Sequence, residues 1–312
     1  MPDTGTRRWS HPAVILVATD LSDLDRLLPF SIQQAVGTGA RLILLHVLAA
    51  SEAMAVDAVG MPYYDPAGAI EFASKSLETS CQIARNRNVV CDAVVREGNA
   101  AQQVLAAARQ FHADRILLGT RSRGKMSKLL LGSVAEQVLR SANLPVMTVG
   151  PEAHLTAEAH QERVILHATT LREASRPSAA LACEIASILD AKLILLHVLP
   201  PMEEMQRKGL PTGLDSAALK ELQTLASETS CDCSGTIEPH VVHGNPSIEI
   251  LAEAVHHHVS LIVLGATQRS ALVNLARDRT IYRILAHAQC PVLTLREAPV
   301  ATEEPATTLV MH

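Results

Sequence analysis

"RLILLHVLA" (residues 41–49) and "KLILLHVLP" (residues 192–200) are one phrase written twice in the chain, with Arg exchanged for Lys at its start and Ala for Pro at its end. Each copy is an apolar run of strand length, without the polar alternation of a strand that shows one face to water. Such a run fits a central strand of a parallel sheet, which is covered on both faces. The repetition extends to either side of it. "ETSC" at 78–81 returns at 228–231, "VVREGN" (94–99) returns as "VVHGN" (241–245), "DRILLGT" (114–120) as "SLIVLGA" (260–266), and "NLPVMTV" (143–149) as "QCPVLTL" (289–295). Order and spacing are kept throughout, so the chain is a tandem duplication.

Composition agrees with this reading. A chain of 312 residues is about twice the usual domain length of roughly 150. Hydrophobic residues make up 48% and aromatic ones 2%, so the core must be assembled from Ala, Val, Ile and Leu. In the first copy AVILVAT, RLILLHV, VCDAVVRE, RILLG and PVMTV read as strands, and segments near 23–39, 67–87, 100–112 and 133–142 read as helices. Strand and helix in alternation imply an α/β fold, a parallel sheet with helices on both faces. The expected units are residues 1–150, a linker at 151–161, residues 162–298 and a frayed tail at 299–312. The stretch from about Ala49 to Pro66, with Met61, Tyr63 and Tyr64, has no clear period and reads as a flap or interface loop.

The net charge of −5 is mild and lacks the basic stripe of a nucleic-acid binder. No apolar run approaches the roughly 20 residues of a membrane span. "TRRWSHPAVILVATD" (6–20) has an arginine pair before an apolar run, as an export signal would, but the run ends at Asp20 and its match in mid-chain reads as a strand. A cytoplasmic location is therefore expected, with free thiols at Cys81, Cys91, Cys183, Cys231, Cys233 and Cys290. Cys231 and Cys233 with His243, or His256, His257 and His258, are soft-metal donors without the spacing of a ligand set, and no metal is assigned to them.

In sheets of this kind ligands sit beyond the carboxyl ends of the strands, which directs attention to Asp20, Val47, Gly98 and Gly119. After Gly119 comes "GTRSRGKMSKLLLGS" (119–133), which leads from a strand into a helix. A helix N-terminus offers unpaired N–H groups and a partial positive charge to an anion. Gly132 lets the backbone come close, the Ser133 hydroxyl can donate, Gly119 leaves the strand end open, and Arg121, Arg123, Lys125 and Lys128 make the loop basic. The alternative is structural: Ser133 to Glu136 also spells a capping box. Capping accounts for Ser133 and Glu136, but not for the two glycines or the basic residues.

With these motifs the chain resembles a tandem universal stress protein of the UspA superfamily over nearly all of both copies. The resemblance implies two Rossmann-like domains of the adenine nucleotide alpha hydrolase-like kind, each a five-stranded parallel sheet. That family's nucleotide-binding branch carries G-x2-G-x9-G-[S/T]; here the pattern is Gly119, Ser122, Gly132 and Ser133, with the second glycine replaced by serine. The implied cofactor is ATP, with or without Mg2+, held by Ala18, Thr19, Asp20, Val47, Leu118, Gly119, Ser122, Gly132, Ser133 and Val134. Asp20 would meet the nucleoside, although Ser22 or Asp23 nearby could be helix caps. The last strands of the two copies would pair within the chain, and a homodimer could follow.

The second copy places Thr170 opposite Asp20, Gln268 opposite Ser122, Asp278 opposite Gly132 and Arg279 opposite Ser133, and of the motif only Gly265 survives. A carboxylate at Asp278 would repel a phosphate about 4 Å away by ~1 kcal/mol even in water. Arg269, Arg277 and Arg279 could at most attract some other anion. The functional expectation is a stress-response regulator that binds ATP in its N-terminal copy. It is not expected to be an enzyme, because ATDLSD (18–23) is unlike the Ser/Gly-rich phosphate loop of related adenylating enzymes. The alternative is a nucleotide-free interaction scaffold.

Overall fold

The structure is a computed structural model that describes residues 9–49, 54–56, 60–120, 131–154, 163–209, 211, 213–229, 236–267 and 279–297. The first repeat runs β1 (Val14–Thr19), α1 (Leu24–Thr38), β2 (Arg41–Leu48), β3 (Met54–Val56), β4 (Pro62–Tyr64), α2 (Pro66–Arg85), β5 (Cys91–Glu97), α3 (Ala100–Gln110), β6 (Arg115–Gly119), α4 (Ser133–Ser141) and β7 (Val146–Val149). The second runs β8 (Val164–Ala168), a single 3-10 turn (Glu173–Ser175), α5 (Arg176–Ile188), β9 (Lys192–Leu199), α6 (Met202–Arg207), α7 (Leu214–Thr229), β10 (Ile237–His243), α8 (Pro246–His256), β11 (Leu261–Thr267), α9 (Arg279–His287) and β12 (Val292–Glu297).

Local signals set the boundaries of these elements. Gly39 ends α1 in the left-handed region at φ 74°, which a residue without Cβ adopts freely. Asn99 and Asn245 open α3 and α8 in the same way, each accepting a bond from a first-turn amide, Gln102 at 3.0 Å and Ser247 at 3.1 Å. Between residues 54 and 64 the structure corrects the expectation of a loop. Met54–Val56 and Pro62–Tyr64 pair as a short antiparallel ribbon, with Ala55 opposite Tyr63. Three-residue strands are too short to show a period, so the pattern was invisible locally. Residues 50–53 and 57–59 of that stretch lie outside the described residues, as do 155–161 of the linker, residue 162 and the tail.

Each repeat forms five parallel strands, β5-β2-β1-β6-β7 and β10-β9-β8-β11-β12. Strand period sorts the side chains between two layers. Ile15, Val17, Leu42 and Leu44 pack with Leu27 of α1 and Leu77 of α2, while Leu16, Ile43 and Leu45 pack with Val104 of α3 and Val138 of α4. The second repeat copies this arrangement with Leu181 of α5 and Leu222 of α7 on one face and Ile250 of α8 and Ile284 of α9 on the other.

β7 and β12 lie side by side, antiparallel, with Leu293 opposite Met147, and the two sheets become one of ten strands. Around this seam Tyr282 donates its hydroxyl to Glu136 at 3.3 Å, and the His154 amide donates to the Gln289 carbonyl at 2.9 Å. Strand order reverses beside β1, which has β2 on one flank and β6 on the other. The crevice at the carboxyl ends of β1 and β6 is therefore the switch point of the first repeat.

Candidate functional site

The floor of that crevice rests on a side chain that sequence alone did not single out. The LLHV phrase carries His46, which is buried and donates Nδ1–H to the Thr19 carbonyl at 3.0 Å. His197 makes the equivalent bond to Thr169 at 2.9 Å in the second repeat. The imidazole of each second strand thus fixes the end of the first strand, where the chain turns. Leu21 and Leu171 follow at φ 67° and 58°, a left-handed conformation that is costly for a leucine. Each leucine amide donates to the threonine hydroxyl two residues before it, at 2.9 and 3.1 Å. Both repeats hold this turn; the side chains on it differ.

In the first repeat Asp20 is half-buried, and its Oδ1 accepts from the amide and the hydroxyl of Ser22 at 2.9 and 2.6 Å. Asp23 occupies the cap position of α1, yet its carboxylate makes no capping bond. It turns inward instead and accepts the Thr19 hydroxyl at 2.6 Å. There it covers Gly119: a Cβ at that glycine would collide with the Asp23 carboxylate and would reach Arg26 Nη2 at 3.4 Å. A side chain at 119 would have to displace the Asp23 carboxylate that fills this space. Burial pushes the Asp23 carboxyl up to about 6, against the Thr19 hydrogen bond, with the Asp20 charge adding to the rise and Arg26 opposing it.

Across the crevice the helix reading resolves against the capping box. Gly132, not Ser133, is the cap residue of α4, in extended conformation and without a side-chain bond. Its own amide donates to the Thr120 carbonyl at 2.8 Å, and its carbonyl receives the Glu136 amide at 2.9 Å. The amides of Ser133, Val134 and Ala135 are then the open donors of the first turn. Ser133 is exposed, and Val134 is half-buried against the core. Two buried polar atoms nearby, Thr120 Oγ1 and Arg26 Nε, have no partner among the described residues.

The other expected site residues fall into place around this. Ala18 and Thr19 end β1, Val47 nears the end of β2, and Leu118 and Gly119 end β6; all but Gly119 are buried. Gly98 ends β5 at φ 121°, toward the sheet edge. Ser122, Arg121, Arg123, Gly124, Lys125 and Lys128 lie outside the described residues, as do Gln268, Arg269, Arg277 and Asp278 of the second repeat. Thr170 takes the place of Asp20 there and pairs its hydroxyl with Ser175 at 3.3 Å. The donor set of the first repeat, three amides with a guanidinium and a hydroxyl, fits an anionic group; the Asp23 carboxylate over Gly119 opposes it.

The metal candidates are rearranged as well. His243 is engaged by Asp215 at 2.5 Å and by the Pro200 carbonyl at 3.0 Å, while Cys231 and Cys233 lie outside the described residues. Cys81, Cys91, Cys183 and Cys290 are buried and form no disulfide among the described residues. No helix among the described residues is long and apolar enough to cross a membrane.

Comparison with known proteins adds a family. The family model described as universal stress protein family matches this chain twice, at residues 13–150 and 162–296. A universal stress protein of Thermus aquaticus is 31% identical over 141 residues, which is 43% of this chain and 96% of that one. A universal stress protein of Mycolicibacterium smegmatis is 24% identical over 299 residues, 90% of this chain and 96% of its own length. The crystal structure of a universal stress protein from Archaeoglobus fulgidus superposes with a TM-score of 0.70 at 17% identity, covering 91% of this chain and 98% of that one. At that identity the likeness shows the shared fold.

Proposed function

We propose that this chain, which belongs to the universal stress protein family, binds one adenine nucleotide in its first repeat and acts as a stress-response regulator read by occupancy. ATP, with or without Mg2+, is the nucleotide in this reading. The observation that carries it is the first turn of α4, where Gly132 caps without a side chain and the next amides have no partner within the helix. The buried Arg26 Nε and Thr120 Oγ1 are further donors suited to phosphate oxygens. Asp20, at the end of β1, is the acceptor for a ribose or base edge. No nucleophile with its base is needed for such a role, and turnover below about 1 per second is expected, under the range of ordinary enzymes.

In this reading residues 1–150 and 162–298 are the working units, and the second is a structural partner joined through β7 and β12. With those strands paired to each other, a homodimer would use a different surface. Calorimetry with ATP tests the binding. Gly132→Val and Asp20→Ala should each weaken it at least tenfold while circular dichroism stays unchanged; an unaltered affinity in both removes the assignment. Native mass spectrometry of the untreated chain reads stoichiometry and oligomer size together, with one nucleotide per chain expected.

A second reading, a nucleotide-free interaction scaffold, has one observation in its favour: the Asp23 carboxylate lies over Gly119, where it opposes a phosphate. No thermal shift with millimolar ATP, in wild type and in Asp23→Asn alike, would favour the scaffold.

A further inference from the structure

At the far edge of the second repeat three side chains from two elements converge. His240 stands on the edge strand β10, Glu253 in the last turn of α8, and His257 directly after that helix. One ligand atom from each lies within 4.8 Å of the others. Glu253 Oε2 is the centre, 3.3 Å from His240 Nδ1 and 3.4 Å from His257 Nε2. These separations exceed the roughly 2.7–2.9 Å of a charge-assisted hydrogen bond. They match the edge of a coordination tetrahedron: metal–ligand bonds of about 2.0–2.2 Å set neighbouring ligand atoms roughly 3.3–3.6 Å apart. We propose that His240, Glu253 and His257 form a zinc-class divalent metal site, with the remaining coordination position open to water.

The first repeat provides an internal control. β5 and β10, and α3 and α8, align without a gap, and the three equivalent positions are Val94, Ala107 and Phe111. All three belong to the apolar packing of that repeat. The pair beside them is retained as a pair, Arg41 with Asp92 at 2.6 Å in one repeat and Lys192 with Glu238 at 2.7 Å in the other. One apolar trio has thus become two imidazoles and a carboxylate in the same scaffold. Two imidazoles and one carboxylate are a known zinc ligand set that leaves a fourth position free.

The surroundings suit a cation. The free ring nitrogen of His240 faces Glu238 Oε2 at 3.5 Å, the outer carboxylate that commonly orients a metal-binding imidazole. His257 sits at the C-terminal, partially negative end of α8. The three side chains are 26%, 20% and 24% exposed, which leaves a path for the ion.

The test uses the full chain, stripped with chelator and titrated calorimetrically with Zn(II). The variants His240→Val, Glu253→Ala and His257→Phe each install the residue that the first repeat carries at that place, and circular dichroism checks that each folds. Each should weaken zinc binding at least tenfold, and the triple variant should lose this site. Unchanged zinc affinity and stoichiometry in the triple variant, or no binding by wild type at micromolar zinc, would overturn the assignment. A second measurement needs no variant. Co(II) should broaden the imidazole resonances of His240 and His257 and leave that of His46, in the other repeat, sharp; equal response of all three also overturns it. This site is independent of the nucleotide reading.

Discussion

Asp23 decides more about the crevice than any residue of the sequence motif. Its carboxylate is held in a buried place between Thr19 and Gly119, with a pKa near 6 where the unfolded value is 3.8. Between those two values the native chain keeps a proton that the unfolded chain releases, so this group's contribution to stability falls as pH rises from about 4 to 6. Asp23→Asn keeps an acceptor for the Thr19 hydroxyl and removes the buried charge. The variant should gain up to about 3 kcal/mol at pH 7 relative to wild type, and the gain should disappear below pH 4 in denaturant titrations at the two values. A constant difference would show that charge is not the cause. Under the nucleotide reading the same substitution should also tighten ATP binding at pH 7, because it removes the negative charge that lies over Gly119.

At the scale of elements, β1 and β8 are the same strand with one exchange, Val17 for His167, and both side chains are fully buried. His167 donates Nδ1–H to the Val263 carbonyl at 3.0 Å, and its Nε2 has no partner among the described residues. Burial lowers its pKa to about 4. A base with a depressed native pKa contributes stability above its unfolded value of about 6.5, and this is lost as pH falls from there toward 4. His167→Val, the residue of the first repeat, should therefore move the acid-unfolding midpoint to lower pH and change little at pH 8. An acid midpoint identical to wild type would mean that His167 does not govern acid unfolding.

At the scale of the whole molecule the seam between β7 and β12 joins both repeats. The two apolar layers run through it, since Met147, Val149, Leu293 and Leu295 share one cluster and Val146 and Val292 the other. Continuous layers predict that the repeats unfold together. Leu293 is fully buried opposite Met147, and Leu293→Asp places an unpaired charge in the seam at a cost of roughly 3–5 kcal/mol. Chemical denaturation should then show two transitions in place of one, and light scattering should report association through the opened apolar edge. A single, merely shifted transition would mean that the seam does not couple the repeats. The outer edges of the ten-stranded sheet, β5 and β10, are where the charged pairs Arg41–Asp92 and Lys192–Glu238 stand, a placement that discourages edge-to-edge pairing.

The sequence by itself determined the duplication, the parallel α/β class and the helices of the first repeat to within a few residues. Apolar period, caps and breakers act between neighbours along the chain and are therefore legible there. It also placed Asp20, Val47, Gly98 and Gly119 at strand ends, while the strand order that brings Asp20 and Gly119 to one crevice came from the structure. Only the tertiary structure decided that Asp23 covers Gly119 rather than capping its helix, that residues 54–56 pair with 62–64 as a ribbon, and that His240 meets Glu253 and His257. Each of these depends on which side chains distant elements bring face to face, and no local period records that: the competition between a cap bond and a buried hydroxyl, or between an apolar trio and a ligand set, is settled by the space that other strands leave.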